Sequence, residues 1–211
     1  MDKYDETFET WNNIASIYQD KFMDIAVYND TYNYICDSTP PNAKLLEIGC
    51  GPGNITKYLL TKRPNFDILG IDIAPNMIEF AKKNNPTANF AVMDSRDIHI
   101  LSTKYDGIIG GFCIPYLSQN ESNDLISNAY HLLNENGLIY LSFVEGDPEQ
   151  SHFKESHLGR VYFQYYKLED LVAQLKLSNF NNIKTFKIKY KTSESEFDIH
   201  TVLTAKKNVI A

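Results

Sequence analysis

The residues best suited to bind a ligand are three glycines in a short loop, Gly49, Gly51 and Gly53. They follow an apolar segment at residues 45–48, so the loop joins a predicted strand to a predicted helix. Glycine turns the chain where other residues cannot, and it lets a ligand approach the backbone. Loops that bind a dinucleotide carry their third glycine three residues after the second, at the helix N-terminus that receives the pyrophosphate. That position is Asn54 here, so the loop favours a ligand without a phosphate group.

Acidic residues accompany the ends of three predicted strands: Glu47, Asp72 and Asp94. The carboxyl ends of parallel strands meet at one edge of a sheet, so Asp72 and Asp94 should face one crevice. A carboxylate there can accept hydrogen bonds from a pair of hydroxyls, and bonds to a charged acceptor are strong. In a second interpretation Asp72 and Asp94 are helix N-caps, and Glu47 is a buried acid satisfied by backbone donors. Their joint placement favours the ligand site.

Short apolar segments alternate with amphipathic ones, which is typical of an open, mostly parallel sheet with helices on both faces. The pattern predicts strands near residues 44–49, 67–72, 88–93, 105–111 and 136–144, and two closing strands near 182–190 and 197–206. It predicts helices at residues 55–61, 75–84, 120–133 and 167–177. Before the first strand, apolar residues recur at helical spacing and predict one or two amphipathic helices within residues 7–36.

In this order and spacing, the motifs resemble those of the class I S-adenosylmethionine-dependent methyltransferases. The first motif of that family reads acid-x-Gly-x-Gly-x-Gly, and Glu47 and the three glycines match it. Segments 69–73, 90–95 and 105–113 resemble the second, third and fourth strands, so the resemblance covers roughly residues 44–145. It implies an α/β fold with a Rossmann-like, doubly wound, seven-stranded and mostly parallel sheet, an antiparallel C-terminal hairpin and N-terminal cap helices.

The resemblance implies S-adenosylmethionine as the cofactor and S-adenosylhomocysteine as its product. By the same resemblance, Asp72 binds the ribose hydroxyls and Asp94 accepts a hydrogen bond from the adenine amino group. Ile73 and Met77 are expected to sandwich the adenine ring. The full set that we expect at the cofactor is Tyr18, Glu47, Gly49, Gly51, Gly53, Asp72, Ile73, Met77, Asp94, Ser95, Gly111 and Phe112.

Two parts of this set concern the methyl end of the cofactor. Gly111 and Phe112 end the fourth predicted strand, which in the family lies beside the transferable methyl group. Tyr18 belongs to the N-terminal apolar stripe, whose simplest interpretation is packing against the sheet edge. The resemblance adds a second interpretation, in which Tyr18 closes over the methionine portion of the cofactor.

We expect a single domain. Its predicted parts are a helical cap (1–40), a cofactor-binding core (41–145), a lid or substrate segment (146–166) and a C-terminal helix with closing strands (167–211). The lid segment offers Arg160 to pair with a carboxylate, and His152 or His157 to take a proton. Its alternative interpretation is a surface loop followed by an edge strand. Tyr116 is a further candidate for the rim of the acceptor pocket.

The composition limits the classes of partner that we expect the chain to bind. The formal net charge of −7 argues against a nucleic-acid partner, and the lysines of residues 184–191 form either a basic patch or, given their alternation with apolar residues, a solvated face. The acidic N-terminus does not resemble a signal peptide and no apolar run reaches membrane-spanning length, so we expect a cytoplasmic protein without a membrane partner. Scattered cysteines and the remaining histidines indicate neither a disulfide framework nor a metal site: Cys36, Cys50, Cys113, His99, His131 and His200.

The resulting functional hypothesis is methyl transfer to a small-molecule acceptor by in-line displacement. Such a reaction needs positioning and exclusion of water, with a general base only where the acceptor carries a proton, so no nucleophile motif is expected. The residues leave open whether oxygen, nitrogen, sulfur or carbon accepts the methyl group, and they leave the oligomeric state open. The alternatives are a non-catalytic, cofactor-binding regulatory protein and an NAD(P)-dependent oxidoreductase, against which Asn54 argues.

Overall fold

The fold is taken from a computed structural model that describes residues 3–191 and 197–208. The helices are α1 (Lys3–Asn13), α2 (Ala15–Phe22), α3 (Asn29–Ser38), α4 (Asn54–Lys62), α5 (Pro75–Asn84), α6 (Gln119–Leu132) and α7 (Leu168–Leu177). The strands are β1 (Lys44–Ile48), β2 (Asp67–Asp72), β3 (Asn89–Val92), β4 (Tyr105–Gly110), β5 (Leu133–Val144), β6 (His152–Ser156), β7 (Gly159–Phe163), β8 (Phe180–Lys191) and β9 (Phe197–Lys207).

The main sheet has seven strands in the order β3-β2-β1-β4-β5-β9-β8. Strands β1 to β5 pair in parallel, and β9 inserts antiparallel between β5 and β8. This confirms the predicted doubly wound sheet with an antiparallel closing hairpin. The strand order reverses between β1 and β4, and in open α/β sheets ligands bind at the carboxyl ends of the strands at such a point.

Two apolar layers hold the helices on the sheet. Leu45 and Leu46 are adjacent in β1 and fully buried, and because side chains alternate along a strand they enter different layers. Leu46 packs in the layer that includes α6 and α7, and Leu45 packs in the layer that includes α3 and α4. Burying one such side chain stabilises the fold by roughly 1.5–3 kcal/mol, which explains why β1 is apolar at consecutive positions.

The N-terminal segment forms three helices, so the prediction of one or two was wrong. Each helix packs against a different surface: α1 against β7 and α5, α2 against α5, and α3 against α4 and β5. One straight helix cannot reach all three surfaces, so the chain breaks at Ile14 and again between α2 and α3.

Residues 146–166 form a hairpin of β6 and β7 rather than a loop with one edge strand. Helix α1 covers the free edge of β7, where Thr10 Oγ1 donates to the Arg160 carbonyl (2.9 Å) and Tyr162 N–H donates to Thr7 Oγ1 (3.0 Å). These two threonines are the buried residues of α1. A polar pair therefore joins the cap helix to the hairpin.

Within residues 3–191 and 197–208, every helix is too short or too polar to cross a bilayer.

Candidate functional site

A cleft opens where β1, β2, β3 and β4 end, beneath the N-terminal helices α1 and α2. Its empty space is about 930 Å³, counted out to the open mouth. Its floor is formed by the glycine loop and by Gly111, and its walls are mostly aromatic and apolar. The lining includes Tyr18, Gly49, Gly51, Asp72, Ile73, Met77, Asp94, Ser95, Gly111, Phe112 and Tyr116, all of which the sequence analysis singled out.

The three glycines of the loop have positive φ angles of 66°, 52° and 81°, but they serve different purposes. Gly49 and Gly51 line the cleft. Gly53 is buried outside it, and a Cβ there would lie 2.4 Å from Asn85 Nδ2, which donates to the Gly53 carbonyl (3.0 Å). Gly53 therefore allows the loop to pack on the end of α5, and the predicted direct role at the cofactor does not match its position.

Asp72 ends β2 and holds the glycine loop. Its Oδ2 accepts from the Gly51 N–H (2.9 Å) and its Oδ1 accepts from the Ala74 N–H (2.9 Å), at the start of α5. Burial raises the pKa of Asp72 above its ordinary value. Each carboxylate oxygen has two lone pairs, so both keep an acceptor position for a hydroxyl group. The N-cap interpretation of Asp72 was wrong, because Ala74 is the N-cap of α5 and has no side-chain cap bond. Asp72 instead holds the glycine loop and the turn before α5, and this geometry is compatible with the ligand interpretation.

Glu47 lies beneath the loop rather than on the cleft wall. It is 1% exposed, and the Thr56 hydroxyl of α4 donates to its carboxylate. Burial raises the pKa of Glu47 to about 8. The structure therefore favours the second interpretation of Glu47, a buried acid with protein donors, and the predicted place at the cofactor is corrected to a support of the loop.

Asp94 follows β3 and faces the cleft together with an arginine that the sequence analysis did not single out. Arg96 donates to Asp94 from its backbone N–H (2.9 Å) and from its guanidinium (2.9 Å and 2.5 Å). Its guanidinium also reaches Glu121 (3.4 Å) and lies 4.6 Å from the centre of the Tyr4 ring. Asp94 is thus the N-cap of the short 3₁₀ helix Ser95–Ile100 and the ion-pair partner of Arg96 at one end of the cleft. Its predicted contact with adenine stays a prediction.

Aromatic residues of the cap form the roof. Trp11 packs edge to face on Tyr18 and on Tyr116, with ring centroids 5.4 Å and 5.6 Å apart. The Tyr18 ring also lies against the position where Gly51 lacks a Cβ, at 3.6 Å. Burial raises the pKa values of Tyr18 and Tyr116 well above the ordinary tyrosine range. Both hydroxyls therefore stay protonated at neutral pH and are able to donate hydrogen bonds.

The remaining acceptor candidates lie outside the cleft: His152, His157 and Arg160. All three are exposed on the β6–β7 hairpin. Arg160 pairs with Glu6 of α1 and lies 3.7 Å from Glu155, and His152 Nδ1 lies 2.7 Å from the Gln150 carbonyl. Their predicted acceptor role is corrected, because the hairpin holds all three at its exposed surface, away from the cleft lining. Of the predicted acceptor residues, only Tyr116 lines the cleft.

The structure reveals one group that the sequence analysis treated as ordinary. His200 is 9% exposed, its Nδ1 lies 2.5 Å from the Tyr28 hydroxyl, and its ring packs on Phe112. Burial lowers the pKa of His200 to about 4, so the ring is neutral and shares a hydrogen bond with the Tyr28 hydroxyl through Nδ1. The sequence contains a signal for the burial of His200. This residue precedes the buried Val202 by two residues, so it lies on the apolar face of its predicted strand.

Fold and site together define a class of protein. A doubly wound sheet with a glycine loop after β1, an acid at the end of β2 and a second acid after β3 forms the nucleoside-binding crevice of a Rossmann-like methyltransferase. A methyltransferase domain model matches residues 45–137, the stretch that contains these features. This match identifies residues 45–137 as a methyltransferase domain, and together with the fold and the relatives it supports a class I S-adenosylmethionine-dependent methyltransferase.

Individual relatives agree with this assignment. The chain is 26% identical over 184 residues to an uncharacterized methyltransferase of Alkaliphilus oremlandii, covering 82% of both chains. It is 24% identical over 165 residues to putative methyltransferase 235L of Invertebrate iridescent virus 6, covering 69% of this chain and 61% of that relative. A solved magnesium protoporphyrin IX methyltransferase from Synechocystis has the same fold, with a TM-score of 0.74, 16% identity and 99% and 98% of the two chains covered.

The cofactor of this class, S-adenosylmethionine, fits the residues present. Gly49 lacks a Cβ that would lie 3.0 Å from the Cys113 Cβ, so the cleft floor is shaped by the absence of a side chain. Asp72 keeps acceptor positions for a pair of ribose hydroxyls. Ile73 is 40% exposed and Met77 lines the same cleft, which gives an apolar surface for a purine ring.

Proposed function

We propose that the protein transfers the methyl group of S-adenosylmethionine to a small-molecule acceptor. The observation that carries the proposal is the enclosure of the cleft: α1 and α2 roof it, and Trp11, Tyr18 and Tyr116 narrow the end next to Phe112. A small planar or apolar acceptor fits such a space better than a nucleic acid does. The net charge of −7 and the activity named for the Synechocystis structure, on magnesium protoporphyrin IX, support the same acceptor class.

The cofactor and the lining residues have different chemical roles in the proposed reaction. The bound cofactor supplies an electrophilic methyl group on a sulfonium. The described charged residues of the lining are Asp72, Asp94 and Arg96, and all of them lie at the ends of β2 and β3. Tyr18 and Tyr116 donate rather than accept protons, because burial raises their pKa values. The protein therefore contributes chiefly by orienting the two reactants and excluding water, which favours an acceptor atom that is already nucleophilic at neutral pH.

The first test is calorimetric titration of the protein with S-adenosylmethionine, S-adenosylhomocysteine and NADH. We expect micromolar binding of the two sulfur ligands and at least about tenfold weaker binding in Asp72→Ala, since hydrogen bonds to a charged acceptor are lost. The matched control is Asp67→Ala at the opposite end of β2, where the side chain is half exposed and pairs with Lys44 at 3.3 Å. Binding of NADH alone, or no binding, would overturn the proposal.

The acceptor class needs a separate measurement. S-adenosylmethionine labelled in its methyl group is incubated with the protein and a cell extract, which is then separated into small molecules, protein and nucleic acid. Label in the small-molecule fraction, absent with Asp72→Ala, is the expected result. Label in protein or nucleic acid contradicts the acceptor class, and tight cofactor binding without transfer to any fraction favours a regulatory, non-catalytic protein.

A further inference from the structure

Asp94 faces the cleft with every acceptor position of its carboxylate in use. Its Oδ1 accepts from the Arg96 backbone N–H (2.9 Å) and Nε–H (3.0 Å), and its Oδ2 accepts from Nε–H (2.9 Å) and Nη2–H (2.5 Å). A carboxylate has about four lone-pair positions, and Arg96 contacts all of them. Asp72, by contrast, accepts one backbone N–H on each oxygen and keeps a position free on each. An amino group of a ligand must therefore displace Arg96 in order to bind Asp94.

Arg96 has a second anionic partner within reach. Its Nη1 lies 3.4 Å from Glu121 Oε1, which is longer than an ordinary charge-assisted hydrogen bond of about 2.7–2.9 Å, so the guanidinium has room to approach Glu121. Burial alone would raise the pKa of Glu121, but hydrogen bonds from Ser118, Tyr4 and Arg96 outweigh it and lower the pKa to about 2. Glu121 is therefore charged at neutral pH and able to receive a guanidinium that leaves Asp94.

Glu121 also holds the first helix of the roof. The Tyr4 hydroxyl of α1 donates to Glu121 Oε2, and the guanidinium carbon of Arg96 lies 4.6 Å from the centre of the Tyr4 ring. Tyr4, Asp94 and Arg96 all line the cleft. One guanidinium thus contacts both the predicted adenine end of the cleft and the start of the helix that covers it.

We propose that Arg96 is a switch between Asp94 and Glu121. The 6-amino group of the bound cofactor takes the place of the guanidinium at Asp94. The guanidinium then moves onto Glu121 beside Tyr4, and this fastens the start of α1 over the cofactor. Arg96 therefore competes with the cofactor before it binds and retains it afterwards. The proposal rests on the proposed cofactor site, because it requires an adenine at Asp94.

The first test measures both rate constants of S-adenosylhomocysteine by stopped-flow fluorescence of Trp11, which lines the cleft. Arg96→Met removes the guanidinium and keeps the backbone N–H that caps on Asp94. We expect association at least about threefold faster, because the competing guanidinium is gone, and dissociation about threefold to tenfold faster, the range for one lost hydrogen bond. A residue that only supports the shape of the cleft would not speed association, so unchanged or slower association would overturn the proposal.

Glu121→Gln tests the second half of the switch. Glutamine also serves in a capping box, so the start of α6 is kept, but a neutral amide attracts the guanidinium less. We expect dissociation about threefold to tenfold faster, with association within about twofold of the original. Dissociation at the original rate would contradict the proposal. The matched control is Arg63→Met, because Arg63 lies outside the cleft and pairs with Asp37 at 3.6 Å, and both of its rate constants should stay unchanged.

A measurement on the unaltered protein follows the guanidinium itself. The arginines of the chain are Arg63, Arg96 and Arg160, so the ¹H–¹⁵N spectrum contains three Nε–H signals, and Arg96→Met assigns one of them. S-adenosylhomocysteine should move the Arg96 signal by more than does its 6-deamino analogue, which has hydrogen in place of the amino group and leaves the guanidinium on Asp94. Equal shifts would overturn the proposal. Failure of the unaltered protein to bind S-adenosylhomocysteine at all would instead remove the proposed cofactor site, so the two failures are distinguishable.

Discussion

Phe112 and His200 pack edge to face, with ring centroids 4.8 Å apart and planes inclined at 65°. Phe112 lines the cleft, and His200 packs on its ring together with the buried Tyr28, while the half-buried Tyr190 stacks on His200. Phe112 has a φ of 58°, which is costly for a residue with a side chain, and its N–H donates to Ser142 Oγ (2.9 Å). The end of the cleft is therefore fixed by the backbone and supported by a neutral histidine.

His200 should make the protein sensitive to acid. Its pKa is lowered from 6.5 to about 4 in the folded state, so its contribution to stability is complete above pH 6.5 and is lost as the pH falls from 6.5 toward 4. The shift corresponds to about 3 kcal/mol. Urea unfolding at a series of pH values should show this loss, and His200→Phe should flatten it. The control His99→Gln, at an exposed position, should keep the acid limb unchanged; an unchanged limb in His200→Phe would disprove the assignment.

Glu47 should have the opposite dependence on pH. Its pKa is raised from 4.5 to about 8, so the protonated form favours the fold, and this contribution is complete below pH 4.5 and lost as the pH rises through 8. Glu47→Gln keeps an acceptor for Thr56 without the charge. Its free energy of unfolding should equal that of the original protein near about pH 5 and exceed it by a few kcal/mol near about pH 9. Glu135→Gln, at an exposed site of β5, is the control, and parallel pH curves for Glu47→Gln and the original protein would refute the prediction.

Two glycines of the loop should separate stability from binding. Gly53→Ala places a Cβ 2.4 Å from Asn85 Nδ2 at a φ of 81°, and we expect a loss of about 2 kcal/mol or more in unfolding free energy. Gly51→Ala meets only an ordinary 3.6 Å contact with Tyr18, so its cost should be about 1 kcal/mol. The new methyl group of Gly51→Ala enters the cleft. Gly51→Ala should therefore lose more affinity for S-adenosylhomocysteine than Gly53→Ala does. Thermal melting and calorimetry of both variants measure this, and the reverse order in either property would contradict it.

Local signals explain which elements were predicted well. Helix α5 has the predicted bounds because Pro75 fixes its first turn. Helix α6 begins one residue before the predicted start, where Ser118 and Glu121 form a capping box. Strand β5 begins before the predicted residue 136, and Asn136 within it has a positive φ of 60°, so the break in the apolar pattern did not end the strand. Patterns of short range thus defined the core of the fold.

The missed features depend on contacts between distant residues. Thr7 and Thr10 of α1 form hydrogen bonds with the free backbone edge of β7, although they lie about 150 positions away along the chain. No local sequence pattern encodes such a pairing. The neutral state of His200 likewise depends on Tyr28, which belongs to the opposite end of the chain. The sequence predicted the residues of the cleft floor and two residues of the roof, Tyr18 and Tyr116, whereas the contacts that support the roof required the folded structure.

The threonine contacts of α1 should control how fast a ligand leaves the cleft. Thr10 Oγ1 donates to the Arg160 carbonyl, and Thr10→Val removes this bond while keeping the side-chain shape. Since α1 roofs the cleft and its buried residues are Thr7 and Thr10, we expect faster dissociation of S-adenosylhomocysteine, by about threefold to tenfold for one lost hydrogen bond. Stopped-flow fluorescence of Trp11 gives the dissociation rate. The control is Thr61→Val in α4, whose exposed hydroxyl donates to the Lys57 carbonyl (2.8 Å) within its own helix, and its rate should not change. Equal rates for Thr10→Val and the original protein would mean that α1 does not open when the ligand leaves.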